Sequence, residues 1–358
     1  MKVYIITLLL VCILSSLEYQ KRYEEENFSV RSRAGIKMSK IYLFLIIFIF
    51  LFVGGLRFKV GSDYIAYASS YMASFSEIKQ KFIAFEEPII FIITDLSRMI
   101  WNEGIFVIFV ENALTVFLVF KGIRSYEQKS YIMPICLYIL YCGWTSSFNG
   151  IRQSLAVAFI FAFSKCSEGN RWILKYIVVG FIAFLIHKSA LFMIPILLLA
   201  NRKIDFKQIV YILIIAAMMP VLGSYALVFM NSSMNTEYAV HSVNILRVLV
   251  SVMPVILCIC CGKKFREENK FLVNMAIINA LITITTRNSA LMYRFSDFTN
   301  IYLMLLIPKF EVLFTKNSRW MYRLIVIILF FVYFCYEVNS GNGNLNNFQW
   351  AFGNFGRY

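Results

Sequence analysis

Charge is what this chain has least of. Only 15% of its 358 residues are Asp, Glu, Lys or Arg, 60% are apolar, and the mean hydropathy is +0.70. No soluble domain can bury that much apolar surface, so the solvent for most of the chain is lipid. Histidine is nearly absent, with His187 and His241 the two in the chain. No D-x-D triplet occurs and no His sits among acids, so a metal-dependent transferase has no visible ligand set; neither a metal nor another cofactor is expected. Cysteines are scattered. The nearest to a cluster, Cys258, Cys260 and Cys261 in VILCICC, lack a neighbouring His or carboxylate, which fits packing rather than metal or redox chemistry. No small-x-small cleavage site follows MKVYIITLLLVCILSSL, so it reads as a retained first span rather than a signal peptide.

Apolar runs fill the chain instead. They recur near 3–17, 41–56, 104–120, 131–146, 151–166, 172–187, 189–200, 208–230, 244–262, 271–287, 297–314 and 320–337. A bilayer core of about 30 Å takes roughly 17–25 apolar residues per helix, which predicts an all-α, polytopic integral membrane protein with about twelve transmembrane helices. A single multi-span domain is expected over 1–338. The formal charge of +15 does not signal nucleic acid, because most Lys and Arg fall in short loops such as NRKIDFK and CGKKFREENK, the cytoplasmic pattern. The long basic first loop, 18–40, belongs on the same side. These loops alternate correctly only if 86–100, EEPIIFIITDLSRMI, does not cross. With two leading acids, a proline, Asp95 and Arg98, it reads as an interfacial or re-entrant helix on the outer face. The Asn/Gly-rich end, 339–358, reads as a flexible outer-face tail.

On that topology four polar breaks share the outer face: RFKVGSDYIAY (57–67), FNGIRQ (148–153), IHKSA (186–190) and RNSALMYRFSD (287–297). An Arg at membrane depth costs roughly 2.5–3.5 kcal/mol on insertion scales. Arg152 therefore either snorkels to the outer headgroups or joins Asn149 and Gln153 in a polar pocket, where guanidinium suits phosphate and amides suit hydroxyls. His187 is either a structural histidine at a helix break or a general base for an attacking hydroxyl. Lys188 beside it is an anion contact or an interface anchor. Arg294 and Asp297 either pair on one helix face, or Arg294 and Arg287 supply the second basic group that a diphosphate needs. In 57–85, Arg57, Lys59, Asp63, Tyr64 and Tyr67 are interfacial residues or a sugar site, with Tyr stacked on a pyranose and Asp63 bonded to hydroxyls.

VGSDYIAY, then EEP, then FNGIRQSLAVAFIFAF, then HKSALFMIP, in that order between about 54 and 200, resemble the EpsG-type branch of the Wzy-like bacterial polysaccharide polymerases; RFSDFTNIYLMLLIP fits the same pattern. The resemblance implies metal-independent glycosyl transfer at the outer (periplasmic) face of the bacterial inner membrane. An O-antigen, capsule or exopolysaccharide chain growing on undecaprenyl diphosphate would pass to the non-reducing end of a new lipid-linked repeat unit. The implied partners are that lipid-linked oligosaccharide, the bilayer and, by analogy, a chain-length regulator. The implied roles are diphosphate binding by Arg152, Arg294 and Arg287, and base catalysis by His187 or Asp63. Arg57, Tyr64, Asn149, Gln153 and Lys188 would contact substrate. Two other functions use similar chemistry. A lipid-linked oligosaccharide flippase favours internal repeats, which are not found here. An O-antigen ligase favours a large late outer loop, whereas the largest one here is early, at 57–103.

Overall fold

Between Ile41 and Val53 the sequence offers nothing but apolar side chains, and a chain segment in lipid must satisfy its own backbone, so it coils. In the computed structural model this stretch is the body of α2 (Met38–Gly55), packed against α1 (Lys2–Asn27) and α6 (Gly104–Tyr126). The structure describes residues 1–27, 37–84, 86–126, 130–167, 171–203, 207–208, 210–214, 217–218, 221 and 242–356. The run expected at 208–230 and His241 lie largely or wholly outside these residues.

The chain divides into two compact units, Met1–Leu191 with Leu324–Tyr358, and Phe192–Arg323. In the first, α2 leads through β1 (Arg57–Phe58) to the short helices α3 (Tyr64–Ser70), α4 (Phe75–Ile83) and α5 (Pro88–Ile100). After α6 come α7 (Ile132–Leu140), α8 (Gly143–Ser146), α9 (Ile151–Phe163) and α10 (Trp172–Ile186). Aromatic edges build its core: Phe50 meets Phe120, Tyr138 and Trp144, and Tyr4 meets Trp144 and Phe334. Helices α6 and α9 approach closely at Gly122, where any Cβ would strike the Phe161 ring. In the second unit, Ile245–Cys260 packs on Lys270–Thr285. Buried Asn274 there donates to the carbonyls of Ala200 and Arg202 at 2.9 and 3.0 Å.

Not all of the twelve crossing helices expected are matched by helices of spanning length among the described residues. Among the described residues four helices are long and apolar enough to cross: Lys2–Glu25, Met38–Gly55, Gly104–Tyr126 and Lys316–Asn339. A fifth arises if the pair Ile245–Cys260 and Gly262–Glu268, bent by 117°, is one span. Among the described residues the other apolar runs form shorter helices. The run 131–146 breaks after Leu140, where Cys142 takes a left-handed backbone (φ 61°). The run 297–314 falls into short α and 3-10 pieces. Helix α9 has 13 residues, or about 20 Å, less than a bilayer core. Helix α5 is equally short. Its apolar residues Ile92, Leu96, Met99 and Ile100 face outward while Thr94 and Ser97 are buried against the protein.

The segment read as a loose tail is paired. Residues Gln349–Trp350 form β2, antiparallel to β1 with Arg57 opposite Trp350. Ala351 N–H donates to the Leu56 carbonyl at 2.8 Å, and Gly61 N–H to the Gly343 carbonyl at 2.8 Å. Gly61 has φ +109° and sits where a Cβ would collide with the Phe148 carbonyl, so the turn after β1 requires glycine.

Candidate functional site

Three of the polar breaks read from the sequence meet in the first unit: Glu87 joins Arg152 to His187, and Tyr67 lies against Arg152. Pro88 opens α5, and Glu87 before it adopts a left-handed backbone (φ 53°, ψ 53°) without capping its own helix. Such a conformation costs a non-glycine residue roughly 1–3 kcal/mol. Its carboxylate turns instead to two distant partners. One oxygen is hydrogen-bonded to His187 Nδ1; the other faces Arg152 Nη1 at 3.4 Å. All three side chains are partly open, with 13% of Glu87, 21% of Arg152 and 27% of His187 exposed. Burial pushes the Glu87 carboxyl up, but the His187 contact and the Arg152 charge outweigh it, and its pKa lies below the ordinary 4.5.

His187 ends α10 because its backbone turns extended (φ −151°), and a 3-10 turn, Lys188–Phe192, follows. Nδ1 is taken by Glu87, whereas Nε2 has no partner among the described residues. A carboxylate on one ring nitrogen fixes the tautomer and leaves the other nitrogen as the acceptor, the arrangement of an oriented general base. Lys188 points to Glu86 at 3.6 Å.

Arg152 stands in the first turn of α9 on an aromatic floor. Its guanidinium lies 5.1 Å from the ring centres of both Tyr67 and Tyr71. Nε donates to Tyr71 Oη at 3.3 Å and Nη2 to Ser70 Oγ at 3.2 Å. Of the five N–H groups, one on each terminal nitrogen remains without a partner among the described residues, enough to hold an oxyanion with two bonds. Beneath the floor, Tyr71 Oη donates at 2.6 Å to Glu111, which is fully buried on α6. Burial, then the Glu111 charge, raises the Tyr71 phenol well above its ordinary value, so it stays a donor. Arg98 ties this floor to α5 through the carbonyls of Ala73 (2.8 Å) and Tyr71 (3.4 Å).

Other residues picked from the sequence fall differently. Asn149 buttresses the turn after β1, accepting from Ser62 N–H at 2.7 Å and Ser62 Oγ at 3.2 Å. Asp63 accepts from the same hydroxyl at 3.1 Å. Gln153 is buried, Tyr64 wholly so with its ring beside Phe58, and Arg57 is fully buried with its guanidinium over Phe148. Arg287 and Arg294 belong to the second unit. There Arg287 is exposed, and Asp297 feels the charges of Arg294 and Arg247. Glu87, Tyr71, Ser70 and Glu111 were not selected from the sequence. Two signals pointed that way: the EEP motif, and an acid inside the apolar run FVIFVENALTV, where an ionisable residue is a functional candidate by default. Among the described residues no three His, Cys, Asp or Glu side chains converge as a metal site.

Long apolar helices with a partly open Arg–Glu–His cluster where shorter helices end define a multi-pass helical membrane protein with a polar site. The chain belongs to the EpsG family, whose family model matches residues 40–351. No curated protein and no solved structure matches it.

Proposed function

We propose that this protein polymerises lipid-linked oligosaccharide repeat units on the outer face of the bacterial inner membrane. Membership of the EpsG family points to a polysaccharide polymerase. The observation that carries the reading further is that one carboxylate, Glu87, holds both a guanidinium and an imidazole. Glycosyl transfer from a diphosphate carrier needs those two capacities side by side. His187 Nε2 takes the proton from a hydroxyl at the non-reducing end of the acceptor repeat unit. That oxygen bonds to the anomeric carbon of the donor glycan, whose bond to the diphosphate oxygen breaks. Undecaprenyl diphosphate leaves with the electron pair, and Arg152 stabilises its added negative charge. Tyr67 and Tyr71 keep the guanidinium face-on, and Asp63, Asn149, Gln153 and Lys188 remain proposed substrate contacts. Arg287 and Arg294 stay proposed diphosphate groups on the family resemblance alone.

The test is a deletion strain complemented with His187→Ala, Arg152→Ala or Glu87→Gln at wild-type protein level, with surface polysaccharide resolved on a gel. The proposal expects single repeat units to reach the surface but no ladder. An absence of any unit at the surface would point to a flippase, and unattached long polymer to a ligase.

A further inference from the structure

We propose that residues 345–356 form a strap seated in the lipid headgroup region, with its aromatic rings against the bilayer rather than in water. The chain from Ser340 to Gly356 carries no charged residue, and it places Phe348, Trp350, Phe352 and Phe355 among amides and glycines. Phe348 packs inward on buried Tyr4, and a tail meant for water gains nothing from the other three aromatic rings without one charge, whereas Trp and Phe beside amide groups suit the membrane interface.

The placement of the strap gives the depth. Along one face of α2, Phe44, Phe48 and Phe52 are 64%, 50% and 37% exposed, with ring centres 6.4 and 6.0 Å apart. On a helix of membrane-spanning length, an exposed apolar ridge of this kind faces hydrocarbon. At the last turn of α2 the ridge does not stop. The Phe52 ring lies 5.4 Å from Trp350 and 6.1 Å from Phe352, and the latter is 57% exposed. The strap then reaches the opposite rim, where Phe355 lies 4.7 Å from Trp101, itself 46% exposed beside the start of α6. It thus runs from the end of one span to the beginning of another, at the level where both leave the hydrocarbon.

The opposite edge of the strap is polar and fixed. β2 pairs with β1, Ala351 is held by Leu56, and Asn344 Nδ2 donates to the Lys59 carbonyl at 2.7 Å. Gly343 has a left-handed backbone (φ +64°) and lies so close to the Asn149 amide that a Cβ there would force Asn149 to shift. The strap therefore couples the lipid surface to the turn that precedes α9 and Arg152. Continuity with the lipid-facing ridge of α2 selects lipid over a second copy of the chain as the occupant of this surface.

The full chain reconstituted in phosphatidylcholine vesicles tests this. The Trp350 emission is taken as the difference between wild type and Trp350→Phe, in vesicles brominated near the headgroup end or near the end of the acyl chain. Interfacial seating predicts that shallow bromines quench this emission at least about twice as strongly as deep ones. Phe352→Trp, at an exposed position in the otherwise unchanged chain, supplies the same readout if Trp350→Phe fails to insert. Emission that escapes both brominated lipids overturns the proposal. Quenching by iodide would then place the rings in water, and resistance to iodide would place them against a second copy.

Discussion

Two arginines stand either side of the same turn, and the protein treats them in opposite ways. Arg57 follows α2 and is fully buried. It is held by backbone carbonyls, Gly54 through Nη1 and Val60 through Nε at 3.3 Å, with its guanidinium 4.3 Å from the Phe148 ring centre. Burial lowers it to about 10, which leaves it protonated at neutral pH. Arg152 opens α9, is one-fifth exposed, and is held by side chains, Glu87, Tyr71 and Ser70. A cation fixed by carbonyls of its own chain closes a break in the fold, because no ligand can compete for groups that never leave. A cation held by side chains and partly open keeps N–H groups that a ligand can reach, whereas the spare Nη2 of Arg57 is sealed inside the protein. Both were candidates on residue type alone; their partners separate them.

The largest effect that would break this contrast is on activity. Arg152→Ala or His187→Ala is expected to lower polymer yield by about 10²–10³-fold, with the amount of inserted protein unchanged, since each removes a group proposed to act at the reacting centre. Arg57→Met should do the reverse and cost about 3 kcal/mol of stability by orphaning the carbonyls it satisfies. Its measure is the amount of inserted protein and the detergent melting temperature, and a stable but inactive Arg57→Met would blur the distinction. Tyr71→Phe and Glu111→Gln sharpen the contrast, because they touch only the support of Arg152. A loss of about tenfold is expected in donor affinity rather than in turnover, through poorer positioning of the guanidinium. Equal turnover and affinity in all three proteins would remove Glu111 from the account.

The smallest effect is on pH. The Glu87 carboxyl titrates below its ordinary 4.5, so its contacts stabilise the protein fully above pH 4.5 and that contribution is lost as pH falls through the lowered value. The melting temperature of wild type should therefore fall towards that of Glu87→Gln in acid, and a constant gap between them would contradict the assignment.

Much of this was legible in the sequence, for physical reasons that differ by residue. Arg152 and His187 declared themselves as polar groups where apolar runs end, since lipid tolerates neither without a reason. Glu87 did not, because its partners are 65 and 100 positions away and no local spacing encodes them. Glu111 was visible as an acid within an apolar run, but Tyr71, the group that gives it meaning, lies 40 residues earlier in a loop. The number of crossings is not fixed by apolar runs alone, because apolar composition records burial in lipid or protein alike. It does not register a left-handed Cys142 or a run folded into 3-10 turns. The tail looked loose because Asn and Gly are loop formers, while the strand it pairs with lies nearly 300 residues back, as the Asn344–Lys59 bond across 285 positions shows.

The central claim is that Arg152 holds the diphosphate of the lipid carrier. The direct measurement is binding of radiolabelled undecaprenyl diphosphate to the purified full chain in nanodiscs, comparing wild type with Arg152→Ala and Arg152→Lys. The account predicts saturable binding by wild type, weaker binding when the planar fork is replaced by Lys, and loss of at least about tenfold in affinity for Ala. Equal affinity of wild type and Arg152→Ala would contradict it.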